Sequence, residues 1–206
     1  MDFLNSQHLT AQDGFAHPFR HPGEFTFSAL ASHAERGEAA GMIIVSGEGA
    51  PGGKGKQFDV LLRWDAQTRR FVSQVPDAKL ELRPNDFVMF QFETAVPGQP
   101  PCTICVRQED KVECDSRVMR THDAFIHFFV QPGEYAYRLG DKRYRISVAD
   151  HRAMPESERQ RRAGQPLVII VNGHSATVPH GRVVAGQSVV WAIEQADGLH
   201  IEGLDP

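Results

Sequence analysis

The chain lacks an apolar run of the roughly 20 residues that a membrane-spanning helix requires, and it has only three cysteines among 206 residues. It also lacks an excess of positive charge, since 22 lysines and arginines stand against 26 aspartates and glutamates for a net charge of −4. These absences predict a protein without a transmembrane segment, without a dense disulfide framework and without nucleic acid as a partner. The 41% apolar and 23% charged residues are typical of a globular protein.

A secretory signal peptide is also missing, because residues 1–6, MDFLNS, have neither a basic start nor an apolar core. Two explanations stay open: the protein is cytosolic, or a leader was removed before this sequence was recorded. Motifs of common catalytic sites are absent too, namely GxSxG, HExxH and a GxGxxG that follows a strand. We therefore expect no enzymatic activity.

A repeat is the most informative feature that the sequence does contain. Residues 15–27, FAHPFRHPGEFTF, return as residues 125–137, FIHFFVQPGEYAY, at an offset of 110. A weaker repeat relates residues 82–90, LRPNDFVMF, to residues 183–191, VVAGQSVVW, at an offset of 101. Apolar residues alternate on both sides of each Pro-Gly pair, which predicts strand, turn and strand. The chain should therefore be all-β, with two copies of one β-unit.

The Pro-Gly turns carry a more detailed prediction. Glycine at the third position of a type II turn takes a positive φ without strain, and we expect this of Gly23 and Gly133. The aromatic pairs that follow, Phe25 with Phe27 and Tyr135 with Tyr137, should each lie on one face of a strand and fill the two cores.

The cysteines admit two interpretations. With Glu109-Asp110 at its turn, a hairpin would place Cys105 directly opposite Cys114, where a cross-strand disulfide can form. Cys102 would then stay unpaired, and the disulfide would indicate an oxidising compartment. The alternative is three reduced thiols in a cytosolic β-protein.

Two segments together resemble the cupredoxin (blue-copper) family. Residues 184–191, VAGQSVVW, followed by His200, resemble the first half of a cupredoxin, in which a strand pair precedes a copper-ligating histidine. Residues 19–33, FRHPGEFTFSALASH, followed by Gly41-Met42, resemble the second half. The halves occur in reversed order along the chain.

The resemblance implies two cupredoxin-like Greek-key β-sandwiches, the first assembled from both chain termini. Residues 1–48 and 164–206 would form a circularly permuted domain, and residues 57–150 a second domain. The glycine-rich residues 49–56 and the short helical residues 151–163 would be linkers. A swap, in which the C-terminal half completes another subunit, is the rival interpretation.

The resemblance also identifies candidate metal ligands. The ligand positions of the permuted domain correspond to His200, Ser28, His33 and Met42, with His21 as a further histidine nearby. Serine replaces the cysteine thiolate that a type 1 copper site needs. In the other domain Arg138 stands at the cysteine position, and that domain should be metal-free.

The leading hypothesis is therefore a non-catalytic scaffold or accessory subunit without a cofactor. By family resemblance it would dock on a multi-subunit electron-transfer complex, respiratory or photosynthetic, at a periplasmic or other extracytoplasmic membrane surface. The alternative is a copper-binding or electron-transfer protein that uses His200 and His33, and the alternative compartment is the cytoplasm.

Overall fold

The computed structural model describes residues 4–31, 40–47, 55–75, 79–93 and 96–204. Almost all of the regular structure in these ranges is β-strand, which confirms the all-β class. The first nine strands are β1 (Asp13–Pro18), β2 (Gly23–Ala31), β3 (Gly41–Val45), β4 (Gln57–Asp65), β5 (Arg70–Ser73), β6 (Lys79–Leu82), β7 (Phe87–Phe92), β8 (Cys102–Gln108) and β9 (Lys111–Asp115).

The remaining elements are β10 (Met119–Arg120), β11 (Ala124–Phe128), β12 (Gly133–Leu139), β13 (Lys142–Ala149), α1 (Glu156–Ala163), β14 (Leu167–Asn172), β15 (Ser175–Ala176), β16 (His180–Val184), β17 (Ser188–Gln195), β18 (Asp197–Leu199) and β19 (Ile201–Leu204). A short 3-10 turn, His151–Ala153, precedes α1. Within the described ranges, no helix has the length and apolar character needed to cross a membrane.

The chain divides into two compact units, a first unit of His8–Arg117 and a second unit of Met1–Gln7 with Val118–Pro206. In the first unit, strands lie in the orders β5-β4-β7-β1 and β6-β3-β2-β8-β9. In the second unit, the orders are β15-β14-β17-β11 and β16-β13-β12-β19, with a short β10-β18 pair beside them. Each unit therefore has two sheet faces that enclose a core.

The two units share one topology. β4 runs parallel to β7, and β3 runs parallel to β6. In the second unit, β14 runs parallel to β17, and β13 runs parallel to β16. The other pairings between corresponding strands are antiparallel, such as β1 with β7 and β11 with β17. The repeat seen in the sequence is thus a tandem duplication of one β-sandwich.

The predicted domain boundaries differ from this division. The strands of residues 13–45 pair with those of residues 79–108, because β1 pairs with β7 and β2 pairs with β8. They do not complete the C-terminal half, which pairs instead with β11 and β12. The two repeat offsets establish that each half-domain segment occurs twice in the sequence. They do not decide which of these segments pack together into one unit. Joining halves that are close along the chain closes a shorter loop than joining the two termini.

Of the two predicted linkers, only the helical segment lies wholly within the described ranges. Residues 49–54 of the glycine-rich linker lie outside the described residues. The predicted helix within residues 151–163 exists as α1, with Glu156 and Glu158 in its first turn and Arg161 and Arg162 in its last, the charge order that a helix dipole favours. It connects β13 to β14 inside the second unit, so it does not join two domains.

Corresponding aromatic side chains fill both cores, as the repeat predicted for Phe25, Phe27 and Tyr137, whereas Tyr135 is only half-buried. In the first unit, Phe27 contacts Phe90 with ring centroids 5.5 Å apart, and both rings are buried. In the second unit, Tyr137 contacts Trp191 at 5.4 Å, and both are fully buried. Each contact joins a strand of one sheet to a strand of the other, so these rings hold the two faces of each unit together.

The expected positive φ is wrong for Gly23, which is not among the residues with positive φ. Gly133 does have a positive φ, but its value of 159° is far from the roughly +80° of a type II turn. Both glycines begin strands, where they pair with Val45 and Val148. A Cβ on Gly23 would lie 2.5 Å from the Gln108 side-chain nitrogen and 3.2 Å from the Phe25 ring. A side chain at position 23 would therefore require the end of the Gln108 side chain to move and the Phe25 ring to shift by a few tenths of an ångström.

A matched pair of polar side chains closes the turn before β7 and the turn before β17. In the first unit, the buried Asp86 carboxylate accepts hydrogen bonds from the backbone N–H groups of Lys56 at 2.8 Å and Arg83 at 2.9 Å. In the second unit, Gln187 accepts from the Val184 N–H at 3.1 Å and donates to the Gln165 carbonyl at 2.7 Å. Each side chain ties two loops of its unit together.

Candidate functional site

The structure separates the residues expected to bind copper. His200 lies between β18 and β19 in the second unit, whereas Ser28 and Met42 lie on β2 and β3 in the first unit. His33 lies outside the described residues, and His21 is exposed just before β2. Across residues 4–31, 40–47, 55–75, 79–93 and 96–204, no group of three or more His, Cys, Asp or Glu side chains is arranged to hold a metal ion.

In the second unit, His200 lies beside a salt bridge between Arg138 and Glu202. Arg138 on β12 lies opposite Glu202 on β19. The guanidinium of Arg138 donates from Nε to Glu202 Oε2 at 2.7 Å, and its Nη2 lies 2.5 Å from the same oxygen. His200 Nε2 lies 4.0 Å from that oxygen. Arg138 thus brings a positive charge beside His200, and the Glu202 carboxylate is already paired with the Arg138 guanidinium.

The corresponding positions of the first unit are uncharged. Ser28 lies opposite Cys105 in the β2–β8 pair, as Arg138 lies opposite Glu202 in the other unit. Ser28 Oγ donates a long hydrogen bond of 3.4 Å to the Cys105 carbonyl. Met42 is 37% exposed and lies opposite Thr26. This face therefore offers a hydroxyl, already bonded, and a thioether.

The predicted disulfide does not form, because the hairpin contains a β-bulge. The turn falls at Glu109-Asp110 as expected, but the register shifts between Val106 and Arg107. Cys105 then lies opposite Asp115, and Cys114 lies opposite Val106. A shift of one residue turns a side chain to the opposite face of a sheet, so the two cysteines no longer face each other.

All three cysteines are buried, and none of them forms a disulfide. Burial strongly raises the pKa of Cys102. Burial, followed by the charge of Asp115, also raises the pKa of Cys105, although Arg107 and Arg117 oppose this. Because the thiolate is the form that attacks electrophiles and binds soft metals, neither of these cysteines is suited to either role.

Histidines recur at equivalent core positions in the two units, a feature that the sequence repeat contains but whose packing it does not reveal. The ring of His17 lies edge-on to Phe19 at 5.1 Å, and that of His127 lies edge-on to Phe129 at 4.5 Å. His17 Nε2 also lies 3.6 Å from Glu113 Oε1. Hydrogen bonding to His17 lowers the pKa of Glu113, with burial acting in the opposite direction. These histidines pack and pair within strands.

A polar chain on the outer face of the second unit was not predicted. Ser147 Oγ donates to Glu134 Oε2 at 2.9 Å and lies 2.6 Å from His180 Nε2. Since a carboxylate only accepts, the hydroxyl proton points to Glu134, and His180 must donate to the hydroxyl. Serine nucleophiles need the reverse, with histidine accepting the hydroxyl proton. The cluster therefore organises a surface and does not activate Ser147.

One open cavity of about 540 Å³ lies at an end of the first unit. It is bordered by the segments that follow β3, precede β4 and connect β6 to β7. Its charged lining includes Lys56, Glu81, Arg83 and Asp86, and Asp86 is bonded to the backbone of both basic residues. Both charge signs are mixed here, so the cavity has no clear preference for a ligand of one charge.

Comparison of the chain with protein-family models, curated proteins and solved structures gave no match. The two β-sandwich units have buried aromatic cores, and the outer face of the β16-β13-β12-β19 sheet carries several exposed arginines. A fold of this kind does not define a function by itself, because function depends on the sites on its surface.

Proposed function

We propose that this chain is a non-catalytic binding protein, a cupredoxin-like scaffold or accessory subunit that docks on a larger electron-transfer complex. The observation that carries the proposal is the salt bridge of Arg138 and Glu202 beside His200. A copper site needs deprotonated or neutral donors that converge on a cation. Here a guanidinium takes the cysteine position and repels a cation, while the carboxylate is engaged.

The strand pairing supports the family resemblance on which the proposal draws. The segment that resembles a cupredoxin's first half, β16 to β17, and the copy of the second-half segment, β11 to β13, lie in one unit. β11 pairs with β17, and β13 pairs with β16. On this interpretation both units carry the halves in reversed order, so the proposed permutation applies to each unit.

An extracytoplasmic membrane surface is the proposed location, and the complex, respiratory or photosynthetic, is proposed by family resemblance. A Cys105–Cys114 disulfide would have supported an oxidising compartment, but neither cysteine forms a disulfide. The location therefore draws on the resemblance, and the cytoplasm is the alternative that fractionation distinguishes.

Purification of the tagged full chain from native membranes tests the proposal. We expect the chain, 22.9 kDa on its own, to elute in a larger particle of fixed subunit composition after mild solubilisation. The particle should contain redox subunits, and the chain itself should contribute no cofactor. Recovery of the chain alone, or with no fixed stoichiometry, would contradict a role as an accessory subunit.

A further inference from the structure

The outer face of the strands β16-β13-β12-β19 carries an excess of positive charge, although the whole chain has a net charge of −4. We call it the basic face. Successive side chains along each strand point to opposite faces of the sheet. Tyrosine, isoleucine and valine side chains therefore lie in the core, and the charged side chains between them lie on the outer face. The charged and polar members of the basic face are Arg138, Arg143, Arg145, Arg182, His180, Ser147, Glu134 and Glu202.

Two glutamates neutralise only part of this face. Glu202 pairs with Arg138, and Glu134 accepts from Ser147. Arg143, Arg145 and Arg182 are exposed and make no ion pair within the described part of the chain. Three guanidinium groups therefore remain available on adjacent strands.

The register places like charges side by side. Arg138 lies directly opposite Arg143 on neighbouring antiparallel strands. Like charges at opposed positions destabilise a sheet. A bound anion on this face would relieve that repulsion, so the arrangement favours an anionic partner.

The spacing indicates what kind of anion fits. Arg143 and Arg145 are two residues apart on β13, a separation of about 6.6 Å along a strand. Carboxylates two residues apart on an extended chain have the same spacing, and a guanidinium pairs with a carboxylate in a two-bond fork. The glutamates within the face and the acidic net charge of the chain disfavour a continuous polyanion such as nucleic acid.

We propose that the basic face binds an acidic, extended segment of a protein partner. This inference rests on the proposed function as a docking subunit, because it names the chemistry of the surface that docks. Arg143 and Arg145 make the central contacts, and Arg182 on β16 contributes from the neighbouring strand. Electrostatic attraction of this kind speeds association and weakens as salt rises.

Fluorescence anisotropy of the full chain with a labelled peptide of alternating glutamate and threonine tests this inference. We expect binding at low salt that weakens at physiological salt, and no binding of a matching glutamine–threonine peptide. The double variant R143E/R145E should bind about tenfold more weakly, since each exposed pair contributes modestly and reversal adds repulsion. R143Q/R145Q should show a smaller loss.

The control variant R20E/R63E makes the same change in net charge at two exposed arginines of the first unit. It should bind the acidic peptide with at least half the affinity of the wild type. Equal binding by all variants, equal losses in both double variants, or tighter binding to duplex DNA or anionic vesicles than to the peptide would overturn the inference. If R143E/R145E still co-purifies with the native particle, the basic face is not the docking surface, yet the proposed function stands.

Discussion

Asp86→Asn should destabilise the first unit although it changes neither the size nor the shape of the side chain. The carboxylate accepts from two backbone N–H groups, those of Lys56 and Arg83. Asparagine has one carbonyl oxygen and one NH₂ group, so it can accept from only one of them. Its NH₂ group must then face the other N–H, donor against donor.

The cost follows from the bond that is lost and from the donor left without a partner. A hydrogen bond to a charged group contributes about 1.5–3 kcal/mol, and an unsatisfied buried donor costs about 1–3 kcal/mol. These figures describe overlapping effects, so we expect a loss of about 2–3 kcal/mol in the free energy of unfolding. The second unit supplies a reciprocal case, because Gln187→Glu would set a carboxylate oxygen against the Gln165 carbonyl that Gln187 now contacts.

Urea unfolding, together with amide hydrogen exchange at Lys56 and Arg83, measures the effect. Both amides should exchange faster in Asp86→Asn than in the wild type. Asp59→Asn is the matched control, because Asp59 is exposed and its hydrogen bond to Gln57 is on the surface; it should change stability by less than about 0.5 kcal/mol. An Asp86→Asn protein with wild-type stability and wild-type exchange at both amides would refute the role assigned to this carboxylate.

Three further outcomes are expected. Trp191→Ala should cost about 3–5 kcal/mol in thermal or urea unfolding, because the fully buried indole packs between Phe125 and Tyr137; a loss below about 1 kcal/mol would contradict this core. Hydrogen bonding to His17 holds the pKa of Glu113 below its usual 4.5, so its stabilisation is present above that value and is lost as pH falls through the lower folded value. Stability measured from neutral to acidic pH should therefore fall less in Glu113→Gln than in the wild type, and identical profiles would be inconsistent with the pairing. Mass mapping of unreduced protein should find all three cysteines alkylated only after denaturation, and a recovered disulfide-linked peptide would show that the cysteines are not all reduced, contrary to the structure.

The sequence predicted the elements that depend on local pattern. Alternating apolar residues and two repeat offsets were sufficient for the all-β class, for the duplication and for aromatic residues such as Phe27 and Tyr137 in the cores. Partner choice between half-domains was not predictable in this way. It depends on the entropy of closing the loops between the segments and on which strands pair within each sheet. The grouping that joins the two termini and the grouping in the structure are both compatible with the two repeat offsets.

The candidate site was predicted less well, for two physical reasons. A one-residue bulge moved Cys114 out of register with Cys105, and nothing in the local sequence marks that bulge. The position of His200 beside Arg138 depends on the pairing of β12 with β19, residues that are more than 60 apart in sequence. Residues of the basic face, such as Arg143 and Arg182, are scattered along the chain and converge only through the sheet.

Copper titration of the purified full chain tests the proposed metal-free binding role most directly. Equilibrium dialysis against copper, followed by metal counting and electron paramagnetic resonance, should be performed on the wild type and on His200→Ala. We predict well below one tightly bound copper per chain and indistinguishable spectra for the two proteins, because the Arg138 guanidinium brings a positive charge beside His200 and engages the Glu202 carboxylate. One copper per chain in the wild type, lost in His200→Ala, would contradict the proposal.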